Sequence, residues 1–303
     1  MFPGDAESGS PMLPPMLMMP GSLHEIQMHF IVGIAEQVQH ALPTQVLVSL
    51  HRGESFWQAF GKIIWSLIIW MPVTLMLIRQ GALLTAGRSL MGFTSALKLA
   101  GQRSLVGWLI AVVPLVCVGV ISVGIIVLGW ISRLSGSLGA WLEFPVGLLI
   151  AVVAVVCGVL AFGGNFAVPL GWAALVNERE PDPLDSLSRG YEYLYRRPLQ
   201  LAMYFLVALA CMLVVTYLSQ MIMIAGMAIS DLMIGIAGGG ESIQAIAQEF
   251  LVRLPLVVAI TLFWALVGGV YLLLRQDAGG QEVEDIWQPS EKPPAPLPEL
   301  PVS

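Results

Sequence analysis

Charge is what this sequence has least of. Only 11% of its 303 residues are Asp, Glu, Lys or Arg, against roughly 25% in a soluble domain. That scarcity excludes an ordinary water-soluble domain, and 14 basic residues set against 20 acidic ones give nucleic acid nothing to bind. Cysteine is scarce as well. Cys117, Cys157 and Cys211 are odd in number, lie inside apolar runs and lack metal-ligand spacing, so they read as small core residues. Catalytic signatures are missing: no His-Glu-x-x-His, no Gly-x-Ser-x-Gly and no phosphate-cradling glycine loop followed by Lys. Ser95 and Lys98 fit Ser-x-x-Lys, a pattern so short that it arises by chance. The expectation is a protein that is not an enzyme and carries no cofactor.

What the chain has instead is hydrocarbon. It is 57% hydrophobic with a mean hydropathy of +0.81, and several apolar runs exceed the roughly 18–20 residues that cross a bilayer core. The predicted fold is an all-α, polytopic transmembrane helical bundle of about five spans, at 57–78, 105–131, 145–176, 198–230 and 255–274. A sixth crossing, hidden by a break in one of the two longest runs, stays open. Around this transmembrane domain, 57–275, the reading places a disordered N-terminal tail at 1–22 and an amphipathic extracytoplasmic segment at 23–56. A disordered, Pro-rich, acidic tail follows at 276–303. Proline throughout residues 11–20 leaves no continuous apolar core for an ordinary signal peptide, so insertion is expected to use the first span.

The basic residues set the threading. Arg79, Arg88, Lys98, Arg103, Arg179, Arg189, Arg196, Arg197 and Arg275 fall on one side of the predicted spans, against Arg52, Arg133 and Arg253 on the other. Positive loops stay in the cytoplasm, which predicts an outside N-terminus, a cytoplasmic C-terminus and a bacterial inner-membrane location. Trp and Tyr near the predicted boundaries, Trp108, Trp172, Tyr191, Tyr193, Tyr195 and Tyr271 among them, fit an aromatic belt. Trp65, Trp70 and Trp264 fall mid-span and read as packing residues.

Residues 181–205, PDPLDSLSRGYEYLYRRPLQLAMYF, compress charge against grease. Asp182 can cap a helix, Pro183 suits its first position, and Asp185 puts a carboxylate in its first turn. Leu184, Leu187, Tyr191 and Leu194 then share one face, away from Asp185, Arg189, Glu192 and Arg196. Such a helix is too charged to cross a membrane. Its expected place is flat in the cytoplasmic headgroup layer, with Arg189, Arg196 and Arg197 near lipid phosphates, or alternatively against another protein. Leu90, Phe93, Leu97 and Ala100 repeat the pattern before Arg103, and a shift of 94 residues lays span one on span three and span two on span four. That correspondence reads either as a degenerate duplication or as two independent solutions to one problem. Candidate membrane-interface or partner residues are therefore Arg88, Lys98, Arg103, Arg189, Tyr191, Arg196 and Arg197.

Three stretches carry a resemblance: RQGALLTAG after the first span, VPLGWAALVNE closing the third, and DSLSRGYEYLYRRPLQLAMYF. Together they resemble an uncharacterised family of multi-spanning integral membrane proteins of planctomycete bacteria, over roughly residues 57–210. Asp185, Leu187, Ser188, Arg189, Tyr193, Arg197 and Pro198 match that family's pattern. Ser186 stands where Ala is usual, and an expected glycine pair is reduced to Gly81. The resemblance implies an envelope location and no activity.

Among weaker signals, Glu25, His29, Glu36 and His40 share one face of a helix capped by Ser22 and Glu25. Carboxylate and imidazole pairs of this kind can take a metal, but a solvated polar face explains them better, and no metal site is predicted. A second short amphipathic helix is expected at 242–254. Asn165 and its neighbouring glycines read as a bend or a close contact, and Gly119, Gly124, Gly129, Gly268 and Gly269 as places where helices approach. No Asp or Glu lies clearly at mid-membrane, which weakens a secondary transporter. The expectation is a non-enzymatic scaffold or partner-binding subunit of a bacterial envelope complex, with a transporter or transporter subunit as the alternative. Its expected partners are the bilayer, its anionic headgroups and other membrane proteins.

Overall fold

The computed structural model describes residues 57, 61, 65–134, 139–179, 182–238, 241–279 and 282–287. The helix expected at 22–42 with its Glu and His face and the Pro-rich end of the chain lie outside the described residues. Among the described residues there is no strand. A π-helical turn, Ser66–Trp70, leads into α1, Met71–Thr85; then come α2, Phe93–Leu134, α3, Gly139–Asn177, α4, Pro183–Arg196, α5, Pro198–Ala237, and α6, Glu241–Gly279.

Five stretches are long and apolar enough to cross a bilayer: Ile68–Thr85, Phe93–Ile131, Glu143–Asn177, Pro198–Ala237 and Ser242–Gly279. The protein is an all-α, multi-pass membrane bundle. Its four longest helices hold 42, 39, 40 and 39 residues. At a rise of about 1.5 Å per residue each is roughly 60 Å long, about twice a hydrocarbon core of roughly 30 Å. They tilt or project beyond the bilayer.

Small residues fix the central crossing of α1 and α6. A Cβ on Gly81 would overlap the backbone of Ala265, one on Gly268 would overlap the backbone of Ile78 and Ala82, and one on Gly269 would meet Thr85 Oγ1 at 2.7 Å. These contacts bring main chain against main chain, as glycine allows in membrane helices. Leu75, Ile78, Ala82, Leu175, Leu272 and Leu274 close the core around the crossing. The rings of Trp172 and Trp264 pack at 5.6 Å, tilted by 48°. α1 stops because Gly87 adopts φ 63°, which lets the N–H groups of Gly87 and Arg88 bond back to Leu84 O and Leu83 O.

The core gathers at one end of the bundle, where α1, α3 and α6 finish and α2 and α5 begin. Beyond it, α2 pairs with α3 and α5 with α6 as two antiparallel hairpins, each packed chiefly within itself. Their apolar outer halves, including Val120, Val123, Val152, Val155, Leu218 and Ile222, stay exposed.

Several expectations change here. Residues 90–100 do not form a separate interfacial helix, because α2 runs unbroken from Phe93 to Leu134. The difference from α4 is physical. Asp182 caps α4 through Leu184 N and Asp185 N and Pro198 begins the next helix, whereas the junction at Arg103 and Ser104 has no proline and Pro114 is carried inside α2. Residues 242–254 likewise merge into α6, with Pro255 carried inside the helix. No break divides α3 or α5, so neither hides a sixth crossing. Trp172, Tyr193 and Tyr271, expected in an aromatic belt, are buried in the core. Trp65, expected to pack, is exposed. Residues 276–279 continue α6, and 282–287 fold back on the bundle with Ile286 buried, where disorder was expected.

Candidate functional site

The packed end of the bundle collects buried arginines. Arg79 on α1 is 1% exposed, Arg275 on α6 is 7% and Arg103 on α2 is 8%. Each has a long apolar stem that packs while its guanidinium finds oxygen. Arg79 donates to Asn177 Oδ1 at 2.8 Å and to the carbonyl of Trp287. Asn177 is held by its own bond to Ala173 O at 2.8 Å, so the acceptor arrives pre-aimed. Arg103 donates to Leu175 O and to Glu178 O at 2.9 Å, satisfying carbonyls that the end of α3 leaves open. Its guanidinium carbon also lies 4.8 Å from the ring centroid of Trp287.

The residues that meet these arginines belong to the returning segment 282–287, the strap. Arg275 donates to Asp285 O at 2.5 Å and Glu282 O at 3.3 Å, and Arg88 to Glu284 O at 3.2 Å. Three arginines, from two helices and one turn, thus hold one short piece of backbone, and Arg103 of a third helix covers its Trp287 ring. Val283 and Ile286 pack on the core while Glu282, Glu284 and Asp285 stay exposed. Among the described residues, none of these four arginines forms an ion pair with a carboxylate.

Beside the cage, α4 brings a polar junction. Gly190 sits so close to Ala167 of α3 that a Cβ would overlap its backbone. Ser186, Leu187, Gly190 and Tyr193 form the buried face. Sequence periodicity put Leu184 on that face, yet Leu184 is exposed, because the approach of two backbones centres the contact on Gly190. Docking places Arg189 against Glu178, which also accepts from Tyr271 at 2.9 Å; Arg189 pairs with Asp185 at 2.8 Å as well. Burial alone would lower the Arg189 pKa, but the carboxylates of Glu178 and Asp185 outweigh it and raise it. Burial pushes the Tyr193 phenol up.

Two further tyrosines of α4 reach the middle of α3. Tyr191 Oη donates to Leu160 O at 3.0 Å and Tyr195 Oη to Val159 O at 2.8 Å, over Gly163, where a Cβ would stand 2.5 Å from Tyr195 Oη and 2.8 Å from the Tyr191 ring, while one on Gly164 would only touch Tyr191 Oη. The glycines near Asn165 are therefore a packing contact. Burial, then Tyr195 and Cys117, raise the Tyr191 pKa to about 12. Between α3, α5 and α6 a cavity of about 300 Å³ lies beside Asn165, lined mainly by apolar residues such as Phe166, Leu201, Phe205 and Phe263.

The seven residues singled out in the sequence divide into two groups. Arg103 is buried in the cage, Arg189 is tied to Glu178 and Asp185, and Tyr191 is half-buried on α3. Arg88, Lys98 and Arg196 are exposed and Arg197 half-buried. Arg196 pairs with Glu192 at 2.7 Å, and Arg88 holds the strap. Arg79, Arg275, Asn177 and Trp287 were missed as a set. Periodicity gave no signal, because the strap joins positions up to 208 residues apart. Compared with known proteins, the chain matches no family model, no curated protein and no solved structure.

Proposed function

We propose that the chain is a scaffold or partner-binding subunit of a bacterial envelope complex. It is not an enzyme, and it sits in the cytoplasmic membrane with its N-terminus outside and the packed end in the cytoplasm. The resemblance to planctomycete multi-spanning membrane proteins fits this assignment. The observation that carries it is the pair of hairpins, α2–α3 and α5–α6, whose outer halves pack chiefly within each hairpin and leave tall apolar faces open. Gly119, Gly124, Gly147 and Gly158 on those helices have no neighbour within 4 Å of where a Cβ would stand. Membrane helices associate through small residues that let backbones approach, so these faces suit helices of another subunit.

Photocrosslinking tests this reading. A photoreactive residue at Val120 or Val152 is expected to capture a second membrane protein in cells, while one at buried Leu75 captures only this chain. Lipid adducts alone from both exposed sites, together with a monomer by native mass measurement, would overturn it. The cavity beside Asn165 favours a second reading, a transporter or transporter subunit for a small apolar solute. Solute-dependent flux into liposomes that is lost with a bulky residue at Ala208 separates the two.

A further inference from the structure

Four guanidinium groups converge on the strap, and what they meet there is neutral. Arg79, Arg88 and Arg275 bond its carbonyl oxygens and Arg103 lies over the Trp287 ring. The nearby carboxylate, Glu178, is already committed to Arg189 and Tyr271. Buried charges are normally paired, because removing an ion from water is costly without an opposite charge nearby. Independently of this, Nε of Arg79 and Nε of Arg275, both buried, have no hydrogen-bond partner among the described residues. The strap's carbonyls satisfy some donors of this cage and leave others idle. A tetrahedral oxyanion offers more acceptor atoms and a full negative charge, and bonds from arginine to such an anion are about twice as strong as neutral ones.

We propose that Arg79, Arg88, Arg103 and Arg275 form a binding site for a phosphate-class anion, which segment 282–287 occupies as a displaceable backbone stand-in. The strap is suited to leave. Ile286 is its one buried side chain, and its acidic side chains are already exposed. When the anion enters, its oxygens replace the carbonyls of Glu282, Glu284, Asp285 and Trp287, and the strap is released with its acidic side chains repelled by the incoming charge. The same phosphate chemistry is presented by a lipid such as phosphatidic acid and by a free phosphate. The inference stands apart from the proposal for the hairpin faces, since it concerns the opposite end of the bundle.

The test uses the full chain in nanodiscs of zwitterionic lipid, with Cys117, Cys157 and Cys211 changed to Ala and Val283→Cys introduced on the strap. Maleimide labelling of that thiol is expected to be slow. Inorganic phosphate, or nanodiscs containing phosphatidic acid in phosphate-free buffer, is expected to accelerate it by roughly fivefold or more, the usual range of coupling between two ligands. Acceleration by phosphate alone assigns a soluble anion, by phosphatidic acid alone a lipid headgroup, and by both a general phosphate site. The response should vanish in Arg79→Gln and, since Arg79 is central to the core, also in Arg88→Gln, whose side chain is exposed. Three results would overturn the proposal: labelling as fast as a free thiol with no anion, no response to either probe, or equal acceleration by sodium chloride at matched ionic strength.

Discussion

Gly190→Ala separates the docked placement of α4 from the lipid-surface placement that its periodicity suggests. On a helix lying flat in headgroups, alanine replaces glycine with a gain of about 0.8–1 kcal/mol in helix propensity. In the structure the added methyl would overlap the carbonyl, Cα and carbonyl oxygen of Ala167. Those are main-chain atoms, so no rotamer change relieves the clash and α4 must shift off α3. Overpacking of this kind costs about 1–3 kcal/mol, and a rigid backbone contact belongs at the upper end. Subtracting the propensity gain leaves a net loss of about 2 kcal/mol. If α4 detached entirely, Leu187 would also lose its burial, worth about 1.5–3 kcal/mol, which sets the scale of the worst case. For a chain of this size 2 kcal/mol corresponds to a drop of about 4–8 °C in Tm.

The assay is thermal unfolding in detergent, followed by near-ultraviolet circular dichroism. Gly119→Ala serves as the control, because its Cβ would meet open space. It should be neutral or slightly stabilising. A Gly190→Ala protein as stable as Gly119→Ala would refute the packing of α4 on α3.

Three other perturbations follow from the same geometry. Trp172→Phe keeps most of the packing on Trp264 but leaves Gly107 O without the indole N–H that reaches it at 2.7 Å, which should destabilise the protein by about 1–3 kcal/mol in the same melt. Asp182→Ala removes the side-chain bonds to Leu184 N and Asp185 N, an expected loss of about 1 kcal/mol, and hydrogen exchange at those two amides should rise first. Because the Tyr191 pKa is raised from 10.0 to about 12, the folded state keeps a proton that the unfolded state gives up between those values. Its contribution is therefore complete below pH 10 and falls away as pH rises toward 12. Wild type should lose more stability across that window than Tyr191→Phe, and equal losses would exclude the assignment.

Hydropathy and length alone gave the number of spans and their approximate places, since a continuous apolar run has few other stable environments. Asp182, Pro183 and Pro198 marked both ends of α4 through local backbone chemistry. Gly268 and Gly269 were legible as close-approach sites, and Gly163 and Gly164 as a contact, though not the tyrosines they receive. The helix continuing through 93–100 and 242–254 was not legible, because amphipathic periodicity is the same whether or not the helix goes on. The strap was not legible either, since a polar, proline-flanked segment has no local signature of docking.

The amino-acid string on its own determined that this chain lives in a bilayer and where α4 starts and stops, because apolar length, capping and proline geometry act within a few turns of the chain. Tertiary structure decided which face of α4 is buried, which arginines leave water, and that 282–287 returns to meet them. Those outcomes depend on backbones from distant parts of the chain meeting at Gly190 and Gly268, and on guanidinium groups finding carbonyls about two hundred residues away. No short-range pattern encodes such meetings, because their energy exists only once the helices are packed.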